Sequence, residues 1–198
     1  GIIFFGGADL PPYYYGEETN LLTSISTPDR HKIELSFVFH HLGGSQNPGY
    51  IPLLEKDPDF PVLGLCLGEQ TLNAGTGVTL VQDIWSVEYG RKTVEEVISL
   101  DRQQWHNNPY KKLYPKMDLL RYNMHQIKLD EDGKFVRDMG FSPDDRPFIV
   151  SSHHQMADRL GRGMKVIATS LDGRVIEAIE HERFSNVLGL QFHPEFAV

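Results

Sequence analysis

The stretch Pro61-Val62-Leu63-Gly64-Leu65-Cys66-Leu67-Gly68-Glu69-Gln70 decides how this chain is read. Its first half is a short apolar run behind a proline, the pattern of a buried strand. Its second half runs on to Ala74 with helix-forming character, so strand, sharp turn and helix meet at Cys66, the one cysteine in the chain. Gly64 and Gly68 flank it in a G-x-C-x-G pattern, whose logic matches the nucleophile elbow of G-x-S-x-G hydrolases. Small neighbours let strand and helix approach closely. The helix's first N–H groups and positive dipole end favour thiolate over thiol, and the Leu67 N–H is placed to stabilise an oxyanion. Taken alone, the pentapeptide reads equally well as a small buried structural thiol.

Outward from that turn, apolar runs alternate with turn signals in the manner of an α/β layered fold. Ile2–Phe5 reads as a strand ending at Gly6-Gly7, and Pro11-Pro12 with Tyr13-Tyr14-Tyr15 as an ordered loop reaching Gly16. Thr27-Pro28-Asp29 is a helix start: N-cap, proline at the first position, acid in the first turn. Ile33, Phe37 and Leu42 are expected on the face that helix buries, with Gly43-Gly44 ending it. Residues from about 85 to 120 read as a helical or loop insertion over one face, with a capped helix at Thr93-Val94-Glu95-Glu96 and a break at Asn107-Asn108-Pro109. Strands follow at Gln126–Leu129 and Phe148–Val150. Met164–Thr169 and Val175–Ile179 flank the hairpin signal Asp172-Gly173. Val187–Gln191 is the last strand and delivers Phe192-His193-Pro194-Glu195.

His193 and Glu195 are two apart, so on extended backbone both project to one side and the carboxylate reaches the imidazole from behind. Such a carboxylate sets the tautomer and stabilises the imidazolium, freeing the other ring nitrogen to take a thiol proton. Cys66 and His193 both sit at C-terminal ends of expected strands, which share one edge in a parallel sheet. Gly6-Gly7-Ala8-Asp9 follows a third strand end, where backbone N–H groups can point into a site beside that of Leu67.

Bulk properties narrow the classes. The chain has 198 residues, 40% hydrophobic and 23% charged, which suits one globular domain. The net charge of −8, with no basic run, argues against a nucleic-acid surface. No apolar stretch approaches the ~18–20 residues of a membrane span. A lone cysteine rules out an intramolecular disulfide and a thiolate-built zinc cluster. Ile2–Phe5 has no polar lead-in, so the numbering is expected to begin inside a longer protein.

These motifs together resemble class I glutamine amidotransferases, within them the γ-glutamyl hydrolase-like branch (peptidase C26). Gly6 to Glu17 is similar to the branch's G-G-x-D-x-x-P-x-x-Y-G-E signature, Gly64–Gln70 to its nucleophile motif, and Gly75–Asp83 to the run after the nucleophile helix. Ser152-His153-His154-Gln155 resembles its S-x-H-H-Q segment and Gly189–Glu195 its G-x-Q-[WF]-H-P-E. The resemblance implies a three-layer α/β fold: a mostly parallel, flavodoxin-like sheet with helices on both faces. It implies a catalytic Cys66–His193–Glu195 triad, oxyanion donors at Gly7 and Leu67, and a γ-glutamyl pocket lined by Gln70, His153, His154 and Gln155. It also implies no metal and no cofactor. Asp9 and Tyr15 are expected to hold their loop. Two departures stand out: Leu67 occupies a position where the branch often has Arg, and residues 85–120 form a longer stretch than the family leads one to expect. An N-terminal βα portion, about 30 residues on the scale of one βαβ unit, is expected to be missing.

The leading functional expectation is a hydrolase of γ-glutamyl amides or peptides, working through a thioester on Cys66. A glutaminase subunit passing ammonia to a synthase and a catalytically silent binding protein on the same scaffold remain alternatives. A metal site built on His153 and His154 is disfavoured, because adjacent residues seldom converge on one ion. The expected partner is a small γ-glutamyl molecule, with neither nucleic acid nor membrane; a cytoplasmic location is expected and a homodimer is left open.

Overall fold

The protein was analysed as a computed structural model that describes residues 1–26 and 28–196. The chain opens with strand β1 (Ile2–Phe4) and a 3-10 turn at Pro12–Tyr14, then helix α1 (Pro28–Leu42), strand β2 (Val62–Leu65) and helix α2 (Leu67–Gly75). A short strand β3 (Leu80–Val81) leads to three small helices: α3 (Ile84–Val87), α4 (Val94–Ile98) and α5 (Tyr110–Leu113). Next come β4 (Asn123–Leu129), α6 (Lys134–Asp138), β5 (Phe148–Ser151), β6 (Met156–Ala157), β7 (Met164–Ser170), β8 (Ile176–His181) and β9 (Val187–Leu190).

Seven strands form one sheet in the order β1-β2-β9-β8-β7-β4-β5, and β3 pairs with β6 apart from it. The α/β layering is as expected, but the sheet is mixed. Only β1-β2 and β2-β9 are parallel, and every neighbour from β9 onward is antiparallel. Short connections explain this: the Asp172-Gly173 turn, with Gly173 at φ 74, joins β7 to β8 as a hairpin, while the parallel strands are reached through helices.

Alternation along the strands sends side chains to two cores. Val62, Val187 and Phe4 pack with Val38 and Leu42 of α1 and Leu72 of α2. Leu65 and Leu190 pack with Val136 of α6 on the opposite face. Helix α1 buries Leu42 as expected, but His31 and Val38 in place of Ile33 and Phe37. His31, Val38 and Leu42 are inside, whereas Ile33 is 67% exposed and Phe37 38% exposed. The chain carries two apolar stripes here, and Gly75 settles which one is used: a Cβ there would lie 2.5 Å from Val38, so α2 is cut back to admit that residue. Thr27, the expected N-cap, lies outside the described residues.

Residues 83–113 form short helices whose Trp85, Tyr89, Val97 and Trp105 pack together with Val81, Met156 and Val175. Thr93 and Glu96 make the reciprocal capping box of α4, and Trp85 donates its indole N–H to the Trp105 carbonyl at 2.8 Å.

Candidate active site

Because β1, β2 and β9 are parallel neighbours, the segments leaving their C-terminal ends emerge side by side. These are Phe5-Gly6-Gly7, Cys66 and Gln191-Phe192-His193. Cys66 has φ 52 and ψ −107, a conformation costly for any residue with a Cβ and held here by its surroundings. Its N–H donates to the Leu190 carbonyl at 2.7 Å, which fixes the turn to β9. The flanking glycines are steric requirements. A Cβ on Gly64 would stand 2.5 Å from the Gly68 carbonyl group, and one on Gly68 would stand 2.1 Å from the Phe4 oxygen. Helix α2 thus rests directly on the backbone of β1.

Burial pushes the Cys66 thiol up to about 12, although a hydrogen bond from the Leu67 N–H pulls the other way. Burial therefore opposes the thiolate that the helix end favours. The helix end helps the anion, but removing it from water costs more. A neutral thiol needs a base at the moment of attack.

His193 has the geometry such a base needs. His193 is buried, its Nδ1 is 2.7 Å from Glu195 Oε1, its backbone N–H donates to Val150 at 2.8 Å, and its ring stacks on Phe196 at 4.9 Å. The Glu195 carboxylate holds the proton on Nδ1 and leaves Nε2 as an acceptor. The backbone that achieves this differs from the extended one expected. Pro194–Phe196 is a 3-10 turn with Pro194 as its first residue, and it folds Glu195 back under the ring. A single point measures the convergence: a Cβ built on Gly6 would lie 3.2 Å from His193 Cε1 and 3.6 Å from Cys66 Cβ. The imidazole and the thiol side chain flank the same glycine.

The Gly6-Gly7 loop has a clamp that no local pattern marks. Arg30 of α1 donates to the Phe5 carbonyl at 2.6 Å and the Gly6 carbonyl at 3.1 Å, and is itself held by Glu34 at 2.8 Å. A Cβ on Gly7 would stand 2.7 Å from that guanidinium and 3.0 Å from the Leu67 side chain. The loop's carbonyls are thus turned toward Arg30. Asp9 holds the far end. One of its carboxylate oxygens accepts from the Ser24 N–H at 2.6 Å, and His154 Nε2 lies 3.0 Å away. His154 Nδ1 reaches Asp83, the N-cap of α3, at 3.2 Å. Burial alone would lower the His154 pKa, but the hydrogen bonds to Asp83 and Asp9 outweigh it and raise it to about 9.

The remaining expected substrate residues are buried and already engaged. Gln70 Nε2 donates to Gln191 Oε1 at 3.0 Å and toward the Gln155 carbonyl at 3.3 Å, and Gln155 Nε2 donates to the Gln82 carbonyl at 3.2 Å. His153 and His154, adjacent in sequence, part company: His153 turns inward toward Glu177, with Nε2 3.6 Å from its carboxylate. Sequence reasoning also missed Glu69. It follows the elbow glycine, is fully buried with no hydrogen-bond partner for either oxygen, and is pushed up to about 8 by burial and by the Glu177 charge. A cavity of about 590 Å³ lies elsewhere, at the N-terminal ends of β1, β2 and β9 along Ile2, Val62 and Val187. Among the described residues, no helix is long and apolar enough to cross a membrane.

The chain is similar to a group of known proteins. Residues 1–195 match the Peptidase C26 family model. The glutamine amidotransferase-like protein YvdE of Lactococcus lactis is 31% identical over 98% of this chain and 65% of its own length. A Mycobacterium tuberculosis protein named as a glutamine amidotransferase is 28% identical over 98% of this chain and 50% of its own. A CTP synthase of Methylorubrum extorquens is 27% identical over 71% of this chain and 27% of its own. The chain thus spans between half and two thirds of the first two relatives. With its matched family model, its nucleophile elbow and its α/β sheet, the chain belongs to the Peptidase C26 family of the class I glutamine amidotransferase-like superfamily.

Proposed function

We propose that this protein hydrolyses γ-glutamyl amide or peptide bonds through a γ-glutamyl thioester on Cys66. The observation that carries the reading is the convergence on Gly6, where the elbow thiol and the Glu195-oriented imidazole flank one point. In this scheme His193 Nε2 takes the thiol proton as sulfur attacks the γ-carbonyl, because the buried thiol does not ionise in advance. The carbonyl oxygen becomes an oxyanion facing the N–H groups of Gly7 and Leu67. Collapse expels the amine, which receives the proton from His193 and leaves the thioester. Water, deprotonated by the same imidazole, then releases glutamate and restores the thiol. Glu195 stabilises each imidazolium in turn.

The test is hydrolysis of a chromogenic γ-glutamyl anilide, with the acylated enzyme sought by intact mass. Cys66→Ala should lose activity by about 10⁴-fold or more while keeping its circular dichroism. Full activity in that folded variant would end the proposal. The similarity to CTP synthases supports a second reading, a glutaminase that hands ammonia to a partner. Glutamine hydrolysis that appears only when a synthase is added would favour it.

A further inference from the structure

A second cluster of titratable groups lies inside the protein, away from the proposed nucleophile. His106, His125, His153 and Glu177 are all at most 4% exposed. His106 Nδ1 is 3.1 Å and His125 Nε2 3.5 Å from Glu177 Oε1, and His153 Nε2 is 3.6 Å from Oε2. The ligand atoms of His106, His125 and Glu177 lie within 4.8 Å of one another. None of these three ring nitrogens and neither carboxylate oxygen has a well-formed hydrogen bond.

Proton placement makes the arrangement unusual. A neutral imidazole has one N–H, and each of these three has an acceptor at its other nitrogen. His125 Nδ1 faces the Gln126 carbonyl at 3.2 Å, and His153 Nδ1 faces the Gln155 carbonyl at 2.9 Å. His106 Nε2 faces the Tyr89 hydroxyl at 3.4 Å, whose own proton goes to Asp172 at 3.1 Å. With those outer nitrogens protonated, three lone pairs point at one carboxylate, which is repulsive unless a cation stands among them. Protonating all three rings would instead bury three positive charges against one negative. A single divalent cation resolves every contact. Outer N–H groups bound to carbonyls or hydroxyls are also how metal-ligating histidines are oriented.

We propose that His106, His125 and Glu177, with His153 against the second carboxylate oxygen, form a structural site for a divalent transition metal. The separations of 3.1 and 3.5 Å from His106 and His125 to one Glu177 oxygen match edges of a shell with bonds of about 2.0–2.2 Å, the lengths of zinc with nitrogen and oxygen ligands. The site ties the loop carrying His106 to β4, β8 and the segment after β5. Its burial leaves no open position for a substrate, which makes it a staple and not a second reaction centre.

The experiment uses the untagged chain, unfolded with a chelator and refolded with or without Zn²⁺ or Co²⁺. Mass spectrometry should find about one ion per refolded chain after dialysis. The melting temperature should rise with the metal, and Co²⁺ should give the strong visible bands of a four-coordinate ion. Cys66→Ala should keep the ion and Glu177→Gln should lose it. The wild-type content alone decides the matter if Glu177→Gln fails to fold. A metal-free protein that retains no ion and melts at the same temperature with or without Zn²⁺ would overturn the proposal. So would nitrogen NMR showing His125 as an imidazolium in protein refolded with Zn²⁺.

Discussion

Among the described residues, two that are not glycine hold a positive φ: Cys66 at 52° and His106 at 54°. Each is the hinge of a histidine–carboxylate arrangement, yet the surroundings differ. Cys66 lies at the rim of the parallel half of the sheet, beside a histidine with one carboxylate partner and one free nitrogen. His106 lies inside, where its loop, β4 and the segment after β5 bring three imidazoles to a single carboxylate on β8. Strain at both places is held by tight backbone anchoring. The Cys66 N–H bonds to Leu190, and the His106 carbonyl accepts from the Ser151 hydroxyl at 2.6 Å and the His153 N–H at 3.2 Å. The contrast shows what the same residue types do when a coordination position is left open and when all are closed. An open nitrogen can move a proton; a closed set can only hold charge.

The sharpest way to break the rim side of this contrast, after removal of the nucleophile itself, is Glu195→Gln. The amide keeps the shape, but it no longer stabilises an imidazolium and can turn its NH₂ toward Nδ1. Turnover should fall by about 10²–10⁴-fold with little change in KM. The melting temperature should hardly move, because Glu195 is exposed. A variant with wild-type turnover would remove the carboxylate from the mechanism.

Glu69 tests the interior side. It is a carboxyl buried without a partner and pushed up to about 8, against about 4.5 in the unfolded chain. The native state therefore binds one more proton than the unfolded chain between these values, and stability falls as pH rises through that window. The slope from this group is about 1.4 kcal/mol per pH unit. Glu69→Gln should flatten that decline, leaving the variant the more stable form at pH 8 by up to a few kcal/mol. Denaturant midpoints taken from pH 5 to 8 check it, and parallel curves for the two proteins would contradict it.

How far the sequence was legible follows the same division. The rim was readable because its parts are local: Gly64, Cys66 and Gly68 share one turn, and His193 and Glu195 share another. Even there the 3-10 turn at Pro194 and the elevated thiol pKa were out of reach, since both depend on packing from other segments. The interior was not readable. His106, His125, His153 and Glu177 are scattered along 72 positions and meet only through the tertiary fold. Arg30 likewise clamps a loop 24 and 25 positions away. Apolar periodicity found α1 and its buried Leu42 but missed Val38, whose place rests with Gly75 on another helix.

His154 stands between the two regions and gives the smallest of these effects. It neighbours the interior His153 in sequence, but its ring bridges Asp9 and Asp83 at the rim, with a pKa raised to about 9. A histidine whose folded pKa exceeds its unfolded value of 6.5 stabilises fully below that value, and the contribution is lost as pH rises through about 9. The cluster is partly exposed, so breaking it should cost about 2 kcal/mol. His154→Gln should therefore melt lower than wild type at pH 6 and converge with it near pH 10. The same change loosens the Asp9 end of the loop proposed to supply an oxyanion donor, so turnover should drop several-fold while Cys66 still acylates. If His154 instead contacts substrate directly, KM should rise with turnover unchanged, and that split tells a residue that positions the loop from one that binds the γ-glutamyl group.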